Sequence, residues 1–553
     1  MRVDRQTLVF LTIAGWGCLN LIQSGTTELF HDEAYYWLFS HFPAIGYFEH
    51  PPMIAWLIRV GTEVLPGEWG VRLMPVLMGM GVWGLLWLLS GGEDSLLFFA
   101  LAASMAVMHI GGFFASPDAA LAFFAATFWV GWKRYLAHDS YLNACLAGLA
   151  ATGMLYSKYH GAMLLFFVWL SWPAVLRRRT LWPALALGLT LCLPLIYWLY
   201  EQRLGTFAFH LTDRVRRPWG PDFLLNYLGG QVGLVGPLIS LLLLPAAVLY
   251  RPEDRFMRAL KFVALGIPLF LLLLSFRTWI EANWAAAAYA PVLLLGHRYM
   301  SRHQHWRRWG LWLATVSVVL LLGVRIHLAS PFLPLKFRSE TGGWNAWADT
   351  LARVASPDVA VFLNSYQHPS KYRFYSGKVS YALSNALYHP TQFDLWGAAD
   401  SLEGRSVVLF SRYPYPGMDL AVETTQGRWY YQRMASFRNY GRIQLSLEDT
   451  RRVFPQGDLQ TVIRLQHHGV PLELGISPEL PARLGYFLLH HGQVVREAGC
   501  GPVWVRQYLS DSLSIPVTLT LDVAPGDYEL ALFLSSGGIA LSTHGPRLPI
   551  RIE

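Results

Sequence analysis

The stretch His31–Pro52, HDEAYYWLFSHFPAIGYFEHPP, decides how this chain is read. It is the first polar interruption after an apolar run, residues 7–23, long enough to cross a bilayer as a helix. Adjacent carboxylates, Asp32 and Glu33, open it, and a third acid, Glu49, follows inside a Tyr-Phe-Glu-His-Pro-Pro run. Paired acids beside a membrane span have two readings. Either they begin a short interfacial helix, where carboxylates suit the positive end of the dipole, or they serve chemistry at the membrane surface. The aromatics of AYYWLFSHF are spaced to share one helix face in the interface, and Pro51-Pro52 starts a second such helix. His31, His41 and His50 lack the spacing of a metal site.

Outward from this loop, apolar segments recur near 71–90, 95–114, 119–136, 141–157, 161–176, 181–200, 231–250, 259–276, 284–300 and 309–328. With the first, they give about eleven spans, an α-helical polytopic membrane protein. Composition agrees: 553 residues that are 54% hydrophobic and 14% charged exclude an ordinary soluble enzyme. The N-terminus lacks a small-residue cleavage site and is read as an uncleaved first helix. Cys18, Cys145 and Cys192 lie in apolar runs and Cys500 stands alone, so neither a disulfide framework nor a cysteine metal site is expected. With a cytoplasmic N-terminus, Arg5, Lys133, Arg134, Arg177–Arg179, Arg251 and Arg298 fall inside, which accounts for the net charge of +8 without nucleic acid. The opposite face receives Asp32, Glu33, Glu49, Asp118, Lys158, the 201–222 loop and Glu281. An odd number of spans sends the tail to that same face. Residues 1–332 are thus expected as a membrane domain with loop helices, 333–445 as an α/β domain, and 446–553 as a β-rich, sandwich-like domain.

Four further motifs end on the face of the first loop. In FFASPDAALAFF, Asp118 follows Ser-Pro and either caps the next helix or lines a cavity. In LYSKYHGAML, Lys158 stands between apolar runs beside Tyr159 and His160; it snorkels, or it holds a phosphate that arrives on a lipid carrier. Arg214, Arg216 and Arg217 of FHLTDRVRRPWGPDF offer planar forks for phosphate or for lipid headgroups. RTWIEANWAAAAYAP places Glu281, Asn283 and Trp284 at a helix start. Glycosyl transfer to a hydroxyl needs a carboxylate to accept the proton of the attacking oxygen. Asp32 is the candidate base, with Glu33 a helper or a helix-start residue. Glu49 is expected to hold a sugar and His50 to face a phosphate, while cations receive the anionic leaving group. Tyr35, Tyr159, Asp118, Glu281, Asn283 and Trp284 complete the expected substrate contacts. The rival reading is a transporter or flippase; against it, the charges gather at one face and no inverted repeat is visible.

The DE-AYYW, GYFEHPP, SPDAALAFF, SKY and ANWAAAAYAP stretches resemble the bacterial members of the protein mannosyltransferase family, which includes lipid A aminoarabinose transferases and belongs to the GT-C class. The resemblance covers residues 8–300 and extends through NSYQHPSKYRFYSG and TQFDLW. It implies a polyprenyl-phosphate monosaccharide donor, inverting transfer to a lipid, glycan or protein acceptor, a periplasmic active site on a bacterial inner membrane, and no metal or other cofactor. By position, Asp32 matches the family's catalytic aspartate and Glu49 the acid of its second loop motif. Lys158 and the arginines around Arg214, Arg217 among them, fall where the family contacts lipid phosphate. The chain departs from the pattern at His50, where lysine is usual in the lipid A enzymes, at Ala285, where proline is frequent, and in its β-rich end.

Overall fold

The computed structural model describes residues 4–202, 219–330, 340–384, 388–415, 418–440, 443–467, 472–473, 482–490, 493–502, 508–509, 512–536, 539–543 and 547–553. The chain forms two compact units, one ending at Gly342 and the other spanning Gly343–Glu553.

The first unit is helical: α1 (Arg5–Thr26), α2 (His31–His41), α3 (Met53–Val64), α4 (Gly67–Leu89), α5 (Ser95–Ser104), α6 (Ala106–Phe113), α7 (Pro117–Ala137), α8 (Tyr141–Ser157), α9 (Gly161–Ser171), α10 (Leu181–Glu201), α11 (Pro221–Val235), α12 (Ser240–Leu249), α13 (Arg255–Leu274), α14 (Ala286–Arg302) and α15 (Gln304–Ala329). Polar residues start many of them. Asp4, Asp94, Ser116, Ser140 and Asp254 each accept a backbone N–H of the following first turn, the bond that satisfies a helix's orphan donors. The core these helices enclose is built largely from α4, α5, α7 and α14, with Phe98, Leu101, Leu121, Trp129 and Leu293 fully buried.

Among the described residues five helices, α1, α4, α10, α13 and α15, are long and apolar enough to cross a membrane, and up to seven spans result if two bent pairs each count as one. Several of the about eleven segments expected to span take shorter or broken forms. Helices α8 and α14 have 17 residues each. The segment at 161–176 stops as an α-helix at Ser171 and continues as a 3-10 turn, Pro173–Arg177. The segment at 95–114 is two helices, α5 and α6, bent by 76° at Met105, and α11–α12 bend by 93°. The two breaks touch. Gly236 has φ 134°, and a Cβ there would meet the Ser104 carbonyl oxygen at 2.3 Å, so the turn requires glycine. Both Gly236 and Ser104 are buried. Broken backbone at membrane depth is tolerated where protein encloses it.

The second unit begins with helix α16 (Trp344–Ala355) and a five-stranded mixed sheet. Its first strand, Val359–Leu363, runs parallel to Ser380–Leu383 and to Val407–Ser411; two antiparallel strands, Gly427–Met434 and Leu420–Thr424, complete it. A β-rich region follows from Ile443. One of its sheets contains Arg483–His490 between Gln493–Pro502 and Gly526–Ser536; another contains Asp458–His467 between Ser512–Thr520 and Ile443–Leu447. Inward residues of both, among them Ile463, Leu465, Leu484, Leu488, Leu519 and Leu534, share one core, the packing of a sandwich.

Candidate active site

The site begins with the two acids of α2, and the fold gives them different environments. Glu33 is wholly buried and reaches Arg72 of α4 with both oxygens: Arg72 Nε donates to Oε1 at 2.8 Å and Nη2 to Oε2 at 2.5 Å. The same carboxylate accepts the Ala115 N–H at 2.8 Å and, bending back over the helix start, the Phe30 N–H at 2.9 Å. Arg72 spends its remaining donors on the end of α1, at the carbonyls of Ser24 (2.9 Å), Thr27 (2.5 Å) and Glu28 (3.1 Å). Five guanidinium donors and about four carboxylate lone pairs are the full inventory of the two groups, and all are used. Glu33 is therefore a frame residue that ties α1, α2, α4 and the entry to α7 together. Of the two roles expected of Glu33, a helper or a helix-start residue, this geometry fits the second, because its side chain accepts the N–H of Phe30 at the helix start and its other lone pairs are taken. Arg72 was missed because it lies inside an apolar run. Its signal was its isolation there, since a charge within a span needs a partner.

Asp32, one residue earlier, is turned about 100° around the helix from Glu33 and is half-buried. Its backbone is held by the lattice that immobilises its neighbour. The loop after α2 is fastened to the same helix by tyrosines. Tyr35 donates to Glu49 at 3.0 and 3.2 Å, and the Tyr36 hydroxyl lies 3.1 Å from His50 Nε2. Tyr47 stacks on Phe39 with ring centroids 4.2 Å apart and meets the Phe39 and Phe42 carbonyls at 3.0 Å. Burial pushes the Tyr47 phenol up to about 12, so it remains a neutral clasp at ordinary pH. Glu49 and His50 are thus set on one side of α2 by Tyr35 and Tyr36. Tyr35, only 2% exposed, positions Glu49 through the hydroxyl that was expected to bind substrate.

A second cluster assembles from three distant motifs. Ser116 caps α7, so of the two readings of Asp118, cap or cavity-lining residue, capping falls away, and Asp118 stands in the first turn. Its oxygens accept Lys158 Nζ at 2.7 and 2.9 Å, and Asn283 Nδ2 donates to Oδ2 at 2.8 Å. Lys158, which ends α8, is buried, and the Asp118 side chain is 20% exposed. The ammonium expected to take a phosphate is therefore already bonded to a carboxylate. Nearby, the His160 ring packs against Trp284 at 4.8 Å, and Glu281 accepts the Trp279 indole N–H at 3.1 Å. Tyr159 is half-buried in the turn between α8 and α9. Gln231 of α11 supports the 3-10 turn Ala282–Ala285 by donating to the Ala282 carbonyl at 3.0 Å. The two clusters adjoin, because Ala115, which donates to Glu33, is one residue from the Ser116 cap. Arg214 and Arg217, expected at the phosphate, lie outside the described residues. Among the described residues no three His, Cys, Asp or Glu side chains gather as a metal site.

Known proteins share parts of this architecture. Residues 49–198 match the dolichyl-phosphate-mannose-protein mannosyltransferase family. The lipid A galacturonosyltransferase RgtD of Rhizobium johnstonii is 26% identical over 309 residues, 52% of this chain; the match spans 64% of that relative's length. ArnT from Cupriavidus metallidurans in the apo state superposes with a TM-score of 0.56 at 16% identity, covering 78% of this chain and 99% of ArnT. The same protein bound to undecaprenyl phosphate gives 0.56 at 15% identity, covering 79% and 100%. A likeness this low in identity establishes the fold, and with the apolar helices it describes a multi-pass membrane protein. The family match and the curated relative each cover only part of this chain, and the fold shared with ArnT extends over about four-fifths of it.

Proposed function

We propose that this protein is a membrane glycosyltransferase that moves a monosaccharide from a polyprenyl-phosphate donor to a hydroxyl or phosphate acceptor, with inversion. Asp32 is the base. Its carboxylate accepts the proton of the attacking acceptor oxygen as that oxygen bonds to the anomeric carbon, and the polyprenyl phosphate departs with the electrons of the broken C–O bond. The observation that carries the reading is the unequal treatment of two adjacent acids. Glu33 is sealed into a saturated ion pair, while Asp32 is held on the same rigid turn with part of its surface open. Pre-positioning of this kind is what a general base needs.

In this reading Glu49 and His50 line the donor side, oriented by Tyr35 and Tyr36. Lys158 meets Asp118 with its ammonium and has a third N–H to offer. That donor, near Asn283, suits a phosphate oxygen, with Arg214 and Arg217 as further candidates. The reading places the active face and the second unit in the periplasm of a bacterial inner membrane, as the distribution of basic loops favours. It requires neither metal nor cofactor. The relative RgtD is a galacturonosyltransferase and the matched family is one of mannosyltransferases, which favours a transferase over a transporter.

The test is release of free polyprenyl phosphate by purified protein in lipid, given a panel of polyprenyl-phosphate sugars and a membrane extract, with and without chelator. Acceptor-dependent, chelator-insensitive release is expected. Loss of release in chelator would remove the metal-free part of the reading. No release with any sugar would remove the enzyme.

A further inference from the structure

Away from the proposed site, the flank formed by α1, α4, α6 and α15 concentrates buried polar atoms that have no partner. Arg325 of α15 is 4% exposed. Its Nε donates to Gln23 Oε1 at 3.2 Å and its Nη2 to Asn20 Oδ1 at 2.8 Å, while Nη1 has no acceptor. Both partners are neutral amides, and among the described residues no carboxylate pairs with this guanidinium. Asn20, wholly buried, spends its oxygen on Arg325 and leaves Nδ2 without an acceptor. Arg325 also lies over the Trp16 ring, 5.5 Å from its centroid. Trp16 stacks on Trp83 at 4.5 Å, and both indole N–H groups are buried and unbonded. His109 meets Trp16 edge-on at 4.8 Å. Its Nε2 donates to the Ala103 carbonyl at 2.6 Å, which leaves Nδ1 as an unused acceptor.

Of these residues Trp16, Trp83 and His109 line, with Leu19, Val318 and Leu322, an almost wholly apolar groove of about 270 Å³, and Arg325 lies beside it, over the Trp16 ring and three residues beyond Leu322 on α15. Four orphaned donors, one orphaned acceptor and an uncompensated buried cation beside an apolar slot call for a particular chemistry. The occupant must bring acceptor oxygens, a negative charge and a hydrocarbon chain. Water would satisfy the hydrogen bonds but would not balance the charge, and a buried charge without a counter-charge is costly. One guanidinium matches one negative charge, which favours a phosphodiester over a more highly charged phosphomonoester. The hydroxyls of a glycerol headgroup would supply the donor that His109 lacks.

The geometry points to a resident phospholipid on this flank: an anionic phosphodiester neutralised by Arg325 and met by the orphaned donors of Asn20 and the tryptophans, with an acyl chain in the groove. This lipid is distinct from the donor, and the inference does not rest on the proposed reaction. Delipidated full-length protein titrated with phosphatidylglycerol, phosphatidylcholine, polyprenyl phosphate or inorganic phosphate tests it, read by thermal shift and by native mass spectrometry. Wild type should retain one phosphatidylglycerol and prefer it to phosphatidylcholine by at least about tenfold. Arg325→Gln should abolish that preference. Leu322→Trp, which fills the groove and leaves the cation alone, should abolish retention even if Arg325→Gln fails to fold. Equal retention of both phospholipids by wild type would overturn the proposal, as would retention of none, which would mean that water fills the space. One-for-one displacement by polyprenyl phosphate, making this the carrier's own site, would overturn it too.

Discussion

The assignment of Glu33 as frame and Asp32 as base predicts opposite behaviour for two neighbouring, equally conservative substitutions. Glu33→Gln preserves shape but removes the charge facing Arg72, and in either orientation it turns its amide N–H groups toward an Arg72 donor together with the Ala115 or the Phe30 N–H. Removing one partner of a buried pair costs about 3–5 kcal/mol, and both side chains here have zero exposure. That is a shift of roughly two to three and a half powers of ten in the folding equilibrium. Arg72→Met added to Glu33→Gln removes the stranded cation, so the double variant should be less destabilised than the sum of the singles by about 1–3 kcal/mol. Full recovery is not expected, because the Ser24, Thr27 and Glu28 carbonyls lose their donor. The assay is unfolding of the purified protein in nanodiscs, paired with turnover per folded molecule. Glu33→Gln should lose stability and keep its turnover per folded molecule within a few-fold. A Glu33→Gln protein as stable as wild type but inactive would refute the reasoning and return Glu33 to the chemistry.

Three further outcomes follow from the geometry. Lys158→Gln should raise KM for the lipid-linked donor by about tenfold and leave the acceptor KM unchanged, because the remaining N–H of the ammonium is assigned to phosphate; equal effects on both substrates would contradict it. Tyr35→Phe deletes a hydrogen bond to the Glu49 carboxylate worth about 1.5–3 kcal/mol, so kcat/KM should fall by roughly one to two powers of ten, and an unchanged value would show that Glu49 needs no orientation. In the second unit, burial, reinforced by Arg412 and Lys371, holds His368 down at about 3, against about 6.5 unfolded. A depressed histidine binds its proton in the unfolded chain first. Its contribution is therefore intact above about pH 6.5 and is lost as pH falls toward 3, amounting to about 2 kcal/mol by pH 5. Thermal unfolding of the full chain between pH 7 and pH 5 should show this loss, and His368→Gln should flatten it; parallel slopes would contradict the assignment.

Much of the fold was legible because its signals are local. The apolar runs, and the turn to alternating strands expected from 446 and found from Ile443, follow from neighbouring residues, whereas the α7 cap offered to Asp118 falls on Ser116. The bend at Met105 was not legible, since neither proline nor glycine marks it and the close approach of Ser104 to Gly236 beside it joins segments far apart in sequence. The site shows the same division. Asp118, Lys158 and Asn283 each stood out as polar residues at the ends of apolar runs, but their union spans sequence separations of 40 and 165 residues, which spacing does not encode. The pairing of Glu33 with Arg72 required knowing that α2 folds back beside α4. The tyrosine contacts to Glu49 and His50, each across 14 residues, depend on how the loop returns to α2.

The central claim is that Asp32 performs the proton transfer. The direct measurement compares wild type and Asp32→Asn in nanodiscs with the donor that the panel identifies, recording turnover and melting temperature on the same samples. The account predicts an Asp32→Asn protein that still unfolds cooperatively, as a folded protein does, and has lost transfer. Wild-type turnover by the folded variant would contradict it.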